Sequence, residues 1–146
     1  VRLARAHIWQ VPRLAAILWA FTRETPWLPR ARSRGADLRV LVTVVRRGWV
    51  RVAWLRGRVA GFVVREGSRI HALYVCPRMR GQGVGRALLT EAKAAGALDL
   101  WVLVANAPAR AFYRAEGFAE ESYARGGGND EGLPDILMIW RERNGA

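Results

Sequence analysis

Cysteine occurs once, at Cys76, which excludes an intramolecular disulfide and fits a reducing, cytoplasmic compartment. The two histidines, His7 and His71, lie far apart, and no His, Cys, Asp or Glu pair has metal-ligand spacing, so no metal is expected. No Ser, His and Asp arrangement signals a hydrolase. No apolar run approaches the ~20 residues that cross a bilayer, so no membrane association is expected. The apolar residues 15–21 are few and bracketed by Arg13 and Arg23. The opening residues mix Arg2, Arg5 and His7 with single apolar positions, unlike a secretory signal. Lysine is nearly missing: Lys93 is the only one among 24 basic residues.

What is present is arginine, unevenly spread. Residues 1–98 carry 19 basic and 4 acidic side chains, and residues 99–146 carry 5 and 8, within a net charge of +12. A basic body attracts polyanions, nucleic acid among them, whatever their sequence. A solvated arginine-rich surface accounts for the same bias. With no zinc pattern, helix-turn-helix signal or RNP-like aromatic strand, no specific nucleic-acid partner is expected. At 146 residues the chain is long enough to bury one core, and a single domain spanning 1–146 is expected.

Residues 1–6 alternate apolar and basic side chains and read as a strand. A helix begins near Pro12, with Val11, Leu14, Ala15, Leu18 and Phe21 on one face. It stops before Pro26, which pushes Thr25 out of the α region. Residues 24–29 then form a stiff aromatic loop, either a plug between helices or a wall of a substrate pocket. Residues 36–47 carry both helical spacing (Leu38, Leu41, Val42, Val45) and a β-branched run; we read a helix capped by Asp37 and ended by Gly48. Residues 49–55 and 59–65 are strands joined by a tight hairpin at Arg56-Gly57-Arg58, and a turn at 66–68 leads into a strand at 69–75. Residues 98–104 are largely apolar, as in an interior parallel strand covered on both faces. A helix over 83–95 supplies the right-handed crossover. A helix over 108–115, stopped by Gly117, and strands over 118–125 and 136–141 complete the chain.

The densest pattern is residues 70–89. Ile70, Leu73, Tyr74 and Val75 form a strand that ends at Pro77; Gly81, Gly83 and Gly85 follow; then Ala87, Leu88, Leu89 and Ala92 take helical spacing. A strand, a glycine turn and a helix start bring unpaired N–H groups to a positive helix end, where a phosphate can sit. Arg78, Arg80 and Arg86 add forked donors suited to phosphate. The dinucleotide fingerprint needs glycine where Arg86 stands, and the P-loop needs a Lys-Ser/Thr that is missing. Arg80-Gly81-Gln82-Gly83-Val84-Gly85 instead resembles the acetyl-CoA-binding motif of the GCN5-related N-acetyltransferase (GNAT) superfamily, (Q/R)-x-x-G-x-(G/A). Asn106, Ala109, Phe112-Tyr113 and Gly117-Phe118 resemble that superfamily's N-x-x-A-x-x-F-Y-x-x-x-G-F segment.

The resemblance implies an α/β (α+β) fold: a mixed, centrally splayed β-sheet flanked by helices on both faces, the acyl-CoA N-acyltransferase fold. It implies acetyl-CoA as co-substrate, bound by Arg80, Gly81, Gln82, Gly83, Val84, Gly85, Arg86 and Asn106 and by the strand Leu73, Tyr74, Val75. It implies direct transfer of the acetyl group to a primary amine of a small molecule, peptide or protein, and it admits a homodimer. Tyr113 matches the position that protonates the departing thiolate, since a phenol of pKa ~10 holds its proton at neutral pH. Asn106 serves either the cofactor or a helix cap. His71, in a strand segment resembling the arylalkylamine N-acetyltransferases, is one candidate base and Glu24 the other. Strand alternation turns Cys76 away from His71 and Val75, which disfavours a cysteine intermediate. Asp130, Glu131 and Asp135 lie in the acidic part of the chain and either border the pocket, attracting a cationic acceptor, or form a solvated turn. The competing readings are a non-catalytic acyl-CoA sensor and an arginine-rich nucleic-acid-binding protein.

Overall fold

The computed structural model describes residues 1–28, 33–126, 129 and 132–142. Its elements run β1 (Arg2–Arg5), α1 (Val11–Glu24), α2 (Arg34–Arg46), β2 (Val50–Leu55), β3 (Arg58–Glu66), β4 (Arg69–Val75), α3 (Val84–Lys93), β5 (Leu98–Leu103), α4 (Ala107–Ala115), β6 (Ala119–Ala124) and β7 (Asp135–Trp140). Short 3-10 turns at Ile8–Gln10 and Pro77–Met79 lead into α1 and the glycine turn.

The termini follow local chemistry. Pro12 opens α1, and Thr25, no longer helical, closes it one residue before Pro26. The cap of α2 is Ser33, whose hydroxyl accepts from the Ala36 amide at 3.2 Å, and not Asp37 as the sequence suggests. Asp37 sits inside the first turn, where the helix dipole favours a negative charge, and accepts from Trp19 Nε1 at 3.0 Å. Arg56 and Gly57 both take positive φ, +54° and +77°, the geometry whose twist matches a two-residue hairpin.

The seven strands form one sheet in the order β1-β2-β3-β4-β5-β7-β6, antiparallel except between β4 and β5. That single parallel pairing is short: Arg69 faces Asp99 and Ile70 faces Leu100, and beyond them the strands part. In β4 the register with β3 slips between Ala72, opposite Val64, and Ile70, opposite Arg65. His71 is therefore the extra residue of a β-bulge, which bends the strand where the parting begins.

Helices cover both faces. On one, Leu88, Leu89 and Ala92 of α3 and Tyr113 of α4 pack with Val63, Ile70, Leu98, Leu100 and Met138. On the other, Leu14 and Ile17 of α1 and Leu41 and Val45 of α2 pack with Val50, Val52, Phe62 and Val64. β5 is not covered on both faces as expected: Leu98, Leu100 and Val102 are buried on one face, while Trp101, on the opposite face, is 42% exposed. The physical reason is placement: α1 stands over β3 and β4. No helix among the described residues is long and apolar enough to cross a membrane.

Gly61 sets how closely β4 and α3 approach. A Cβ there would lie 2.7 Å from the Tyr74 carbonyl oxygen and 3.0 Å from Val84 Cγ1. Backbone cannot yield as a side-chain tip does, so Gly61→Ala should cost about 1–3 kcal/mol of stability in urea denaturation. A variant as stable as the parent would contradict this packing.

Candidate active site

The glycine turn follows β4. Gly81 and Gly83 take φ of +74° and +82°, where an L side chain is strained, with open space around both. Gly83 is the N-cap of α3 and provides no side chain to satisfy its first amides. Ser33 and Asn106 do this for α2 and α4. The leading N–H groups of α3 are thus left for an anion, at the positive end of the helix. Gly85 serves another purpose. It is helical, and a Cβ there would sit 3.1 Å from Phe112 Cζ, so its smallness lets α3 approach α4. Sequence spacing gave the three glycines one role; only packing separates them.

Charges frame the turn. Arg80 Nη1 donates to Glu24 Oε2 at 2.7 Å, and Arg86 stands 3.8 Å from Glu116 with three quarters of its side chain exposed. Glu116 also receives Lys93, whose Nζ donates to its carbonyl oxygen at 2.6 Å. Nothing near Glu116 in the sequence marks it, because its partners Lys93 and Arg86 lie 23 or more residues earlier in the chain.

Beyond Ile70 the edge of β4 that faces β5 has no strand partner among the described residues. Cys76 donates its amide to the Ala60 carbonyl at 2.7 Å, and Tyr74 lies opposite Phe62. Antiparallel hydrogen bonding alternates, so Tyr74 exchanges its peptide groups with Phe62 while Leu73 and Val75 turn theirs toward the opening. The Tyr74 ring packs 5.3 Å from Phe21 and 5.7 Å from Phe62.

Tyr113, on α4, is 8% exposed and meets Phe112 and Phe118 edge-on at 5.2 and 5.4 Å. Burial pushes its phenol pKa well up, and the Tyr74 phenol adds to the rise. The group is a proton donor throughout the physiological range.

The other candidates are separated from it. His71 stacks on Trp49 at 5.8 Å, and its Nε2 lies 2.9 Å from Glu66 Oε1. The bulge puts it on the α1/α2 side, where Ala72, Tyr74 and Cys76 also pack. Cys76 therefore faces away from Val75, as alternation predicts, but shares a face with His71; the inserted residue breaks the alternation. Glu24 ends α1 and is engaged by Arg80 past the far end of β4. Asn106 caps α4, its Oδ1 accepting from the Ala109 amide at 3.2 Å. Asp135 is buried and accepts from Asn129 Nδ2 at 3.1 Å, while Asp130 and Glu131 lie outside the described residues. Among the described residues no group of three or more His, Cys, Asp or Glu side chains is placed to hold a metal.

A mixed sheet that splays at its one parallel pairing, beside an uncapped glycine-led helix, defines the acyl-CoA N-acyltransferase class of fold. The model of the acetyltransferase (GNAT) domain family matches residues 44–120, more than half of the sequence, and the chain belongs to this family. An uncharacterized N-acetyltransferase of Methanocaldococcus jannaschii is 33% identical over 92 residues, covering 51% of this chain and 41% of that protein. The chain thus spans about two fifths of the length of the curated relative it matches. Among solved structures, apo YjaB from Escherichia coli superposes with a TM-score of 0.79 at 22% identity, covering 95% of this chain and 96% of that one. PaiA N-acetyltransferase from Thermoplasma acidophilum, in complex with coenzyme A, superposes at 0.72 and 18% identity over 97% and 98% of the two chains. YncA from Salmonella typhimurium, with its cofactor acetyl-CoA, does so at 0.72 and 19% over 99% and 96%. At these identities the likeness is one of fold.

Proposed function

We propose that this domain transfers the acetyl group of acetyl-CoA directly to a primary amine. The observation that carries the reading is the conjunction, on one strand-turn-helix unit, of two kinds of free main chain. The α3 amides suit a diphosphate, and the Leu73 and Val75 peptide groups suit the amides of an extended pantetheine arm, taken up like an added strand. Arg80, Gly81, Gln82, Gly83, Val84, Gly85 and Arg86 make the diphosphate cradle, with Gly85 and the buried Val84 holding α3 in place. Tyr74 lines the opening with its ring. Asn106 has its Oδ1 committed to the α4 cap, which leaves its amide group for the cofactor.

Acetyl-CoA supplies an activated acyl group as a thioester. The protein has three tasks: hold a neutral amine close, exclude water, and hold a proton for the sulfur. Tyr113 takes the third. Its raised pKa keeps the proton on Oη until negative charge builds beside it, and its buried ring fixes the hydroxyl. His71 is the base better placed of the two candidates, because it stands where β4 and β5 part and its Nε2–Glu66 contact leaves Nδ1 for the amine. Glu24, paired with Arg80, is the weaker acceptor of a proton.

Two substitutions test this reading. Gly83→Val forces a side chain into positive φ at the helix start; coenzyme A binding should weaken at least tenfold in calorimetry, and undiminished binding would remove the turn from the site. Tyr113→Phe keeps the ring and its contacts while losing the proton. On an amine for which chemistry is rate-limiting, kcat should fall by roughly 10²–10⁴-fold with little change in KM for acetyl-CoA. Near-normal turnover would exclude Tyr113 as the acid.

A further inference from the structure

Residues 1–98 contain four carboxylates, Glu24, Asp37, Glu66 and Glu91, against 19 basic side chains. Three of them are engaged away from the glycine turn: Asp37 binds Trp19, Glu66 meets His71, and Glu91 takes a bidentate pair from Arg51. The fourth, Glu24, is spent on Arg80, 56 residues away. Arg80 caps the 3-10 turn after β4 and leads directly into Gly81. Of the three arginines flanking the glycines, Arg78 has no partner among the described residues and Arg86 is only loosely held. Arg80 alone is neutralised at close range, by a carboxylate from another element. Both side chains are nearly half exposed, so the pair can open at small cost.

We propose that Glu24 is a positioning residue which competes with the cofactor's diphosphate for Arg80. This rests on the reading of the glycine turn as the diphosphate cradle. Glu24 holds the guanidinium at the end of α1. A diphosphate on the turn presents more charge and the same forked geometry, so Arg80 turns to it and the Glu24 carboxylate is released. Glu24 ends α1 just before the exposed Trp27, so cofactor binding is communicated to the end of α1 and to residues 25–28.

The test is a double-mutant cycle read by calorimetry with coenzyme A, with pantetheine as the phosphate-free control. Glu24→Gln should tighten coenzyme A binding about two- to fivefold, the scale of one exposed ion pair, and leave pantetheine binding unchanged. In an Arg80→Gln background the same substitution should have no effect. Unchanged or weaker binding by Glu24→Gln overturns the competition, as does an equal gain in the Arg80→Gln background, which would mean general electrostatics. A parent protein that binds no coenzyme A overturns the cradle itself, and the competition with it.

Discussion

The whole arrangement depends on β4 and β5 separating after two residue pairs. Backbone N–H and C=O groups inside a protein need partners, and a sheet normally supplies them from strand to strand. Here the parallel ladder stops at Ile70 and Leu100, and the inserted His71 bends β4 at that point. Leu73 and Val75 keep strand geometry because β3 holds their neighbours, yet their own peptide groups lack a strand to pair with. Such an edge in mid-sheet persists because both flanks are fixed independently. β5 is bound along its other side by β7 over its full length, and β4 by β3.

A second constraint aims α3 at the same opening. Val84 is 2% exposed and contacts the space that Gly61 leaves, and Leu88, Leu89 and Ala92 fill the core. On the outer flanks, Arg51 holds Glu91 from β2, and Lys93 and Arg86 both meet Glu116 at the end of α4. The Arg51 hydrogen bonds hold the Glu91 carboxyl below the usual carboxylate range. The stabilisation this pair contributes is present at neutral pH and is lost as acid protonates Glu91. Both side chains are partly exposed, so the effect is small. Rigidity at α3 comes chiefly from apolar packing, and the ion pairs orient it.

Much of this was legible in the sequence. The element order, the glycine turn, the hairpin at Arg56-Gly57 and the matched Phe112-Tyr113 segment all depend on short-range patterns. Local chemistry leaves such patterns in neighbouring residues: positive φ demands glycine, and helical faces repeat. What the sequence obscured arises over distance or from one inserted residue. The bulge at His71 reversed the predicted relation of Cys76 to His71. Ser33 out-competed Asp37 for the α2 cap because it lies at the geometric N-cap, one turn earlier. The exposure of Trp101 follows from where α1 lies, which an apolar run such as residues 98–104 does not encode. Glu24 looked like a free candidate base because nothing nearby in the chain reveals its pairing with Arg80.

If the parted strands and the uncapped helix bind one extended ligand through main chain, both sets of amides must respond to it together. Amide hydrogen exchange, residue by residue, with and without saturating coenzyme A, examines that joint response most directly. Exchange should slow at Leu73 and Val75 and at the first turn of α3, with Tyr74, already paired to Phe62, little changed. Coenzyme A binding that protects the α3 amides while leaving Leu73 and Val75 exchanging as before would contradict it.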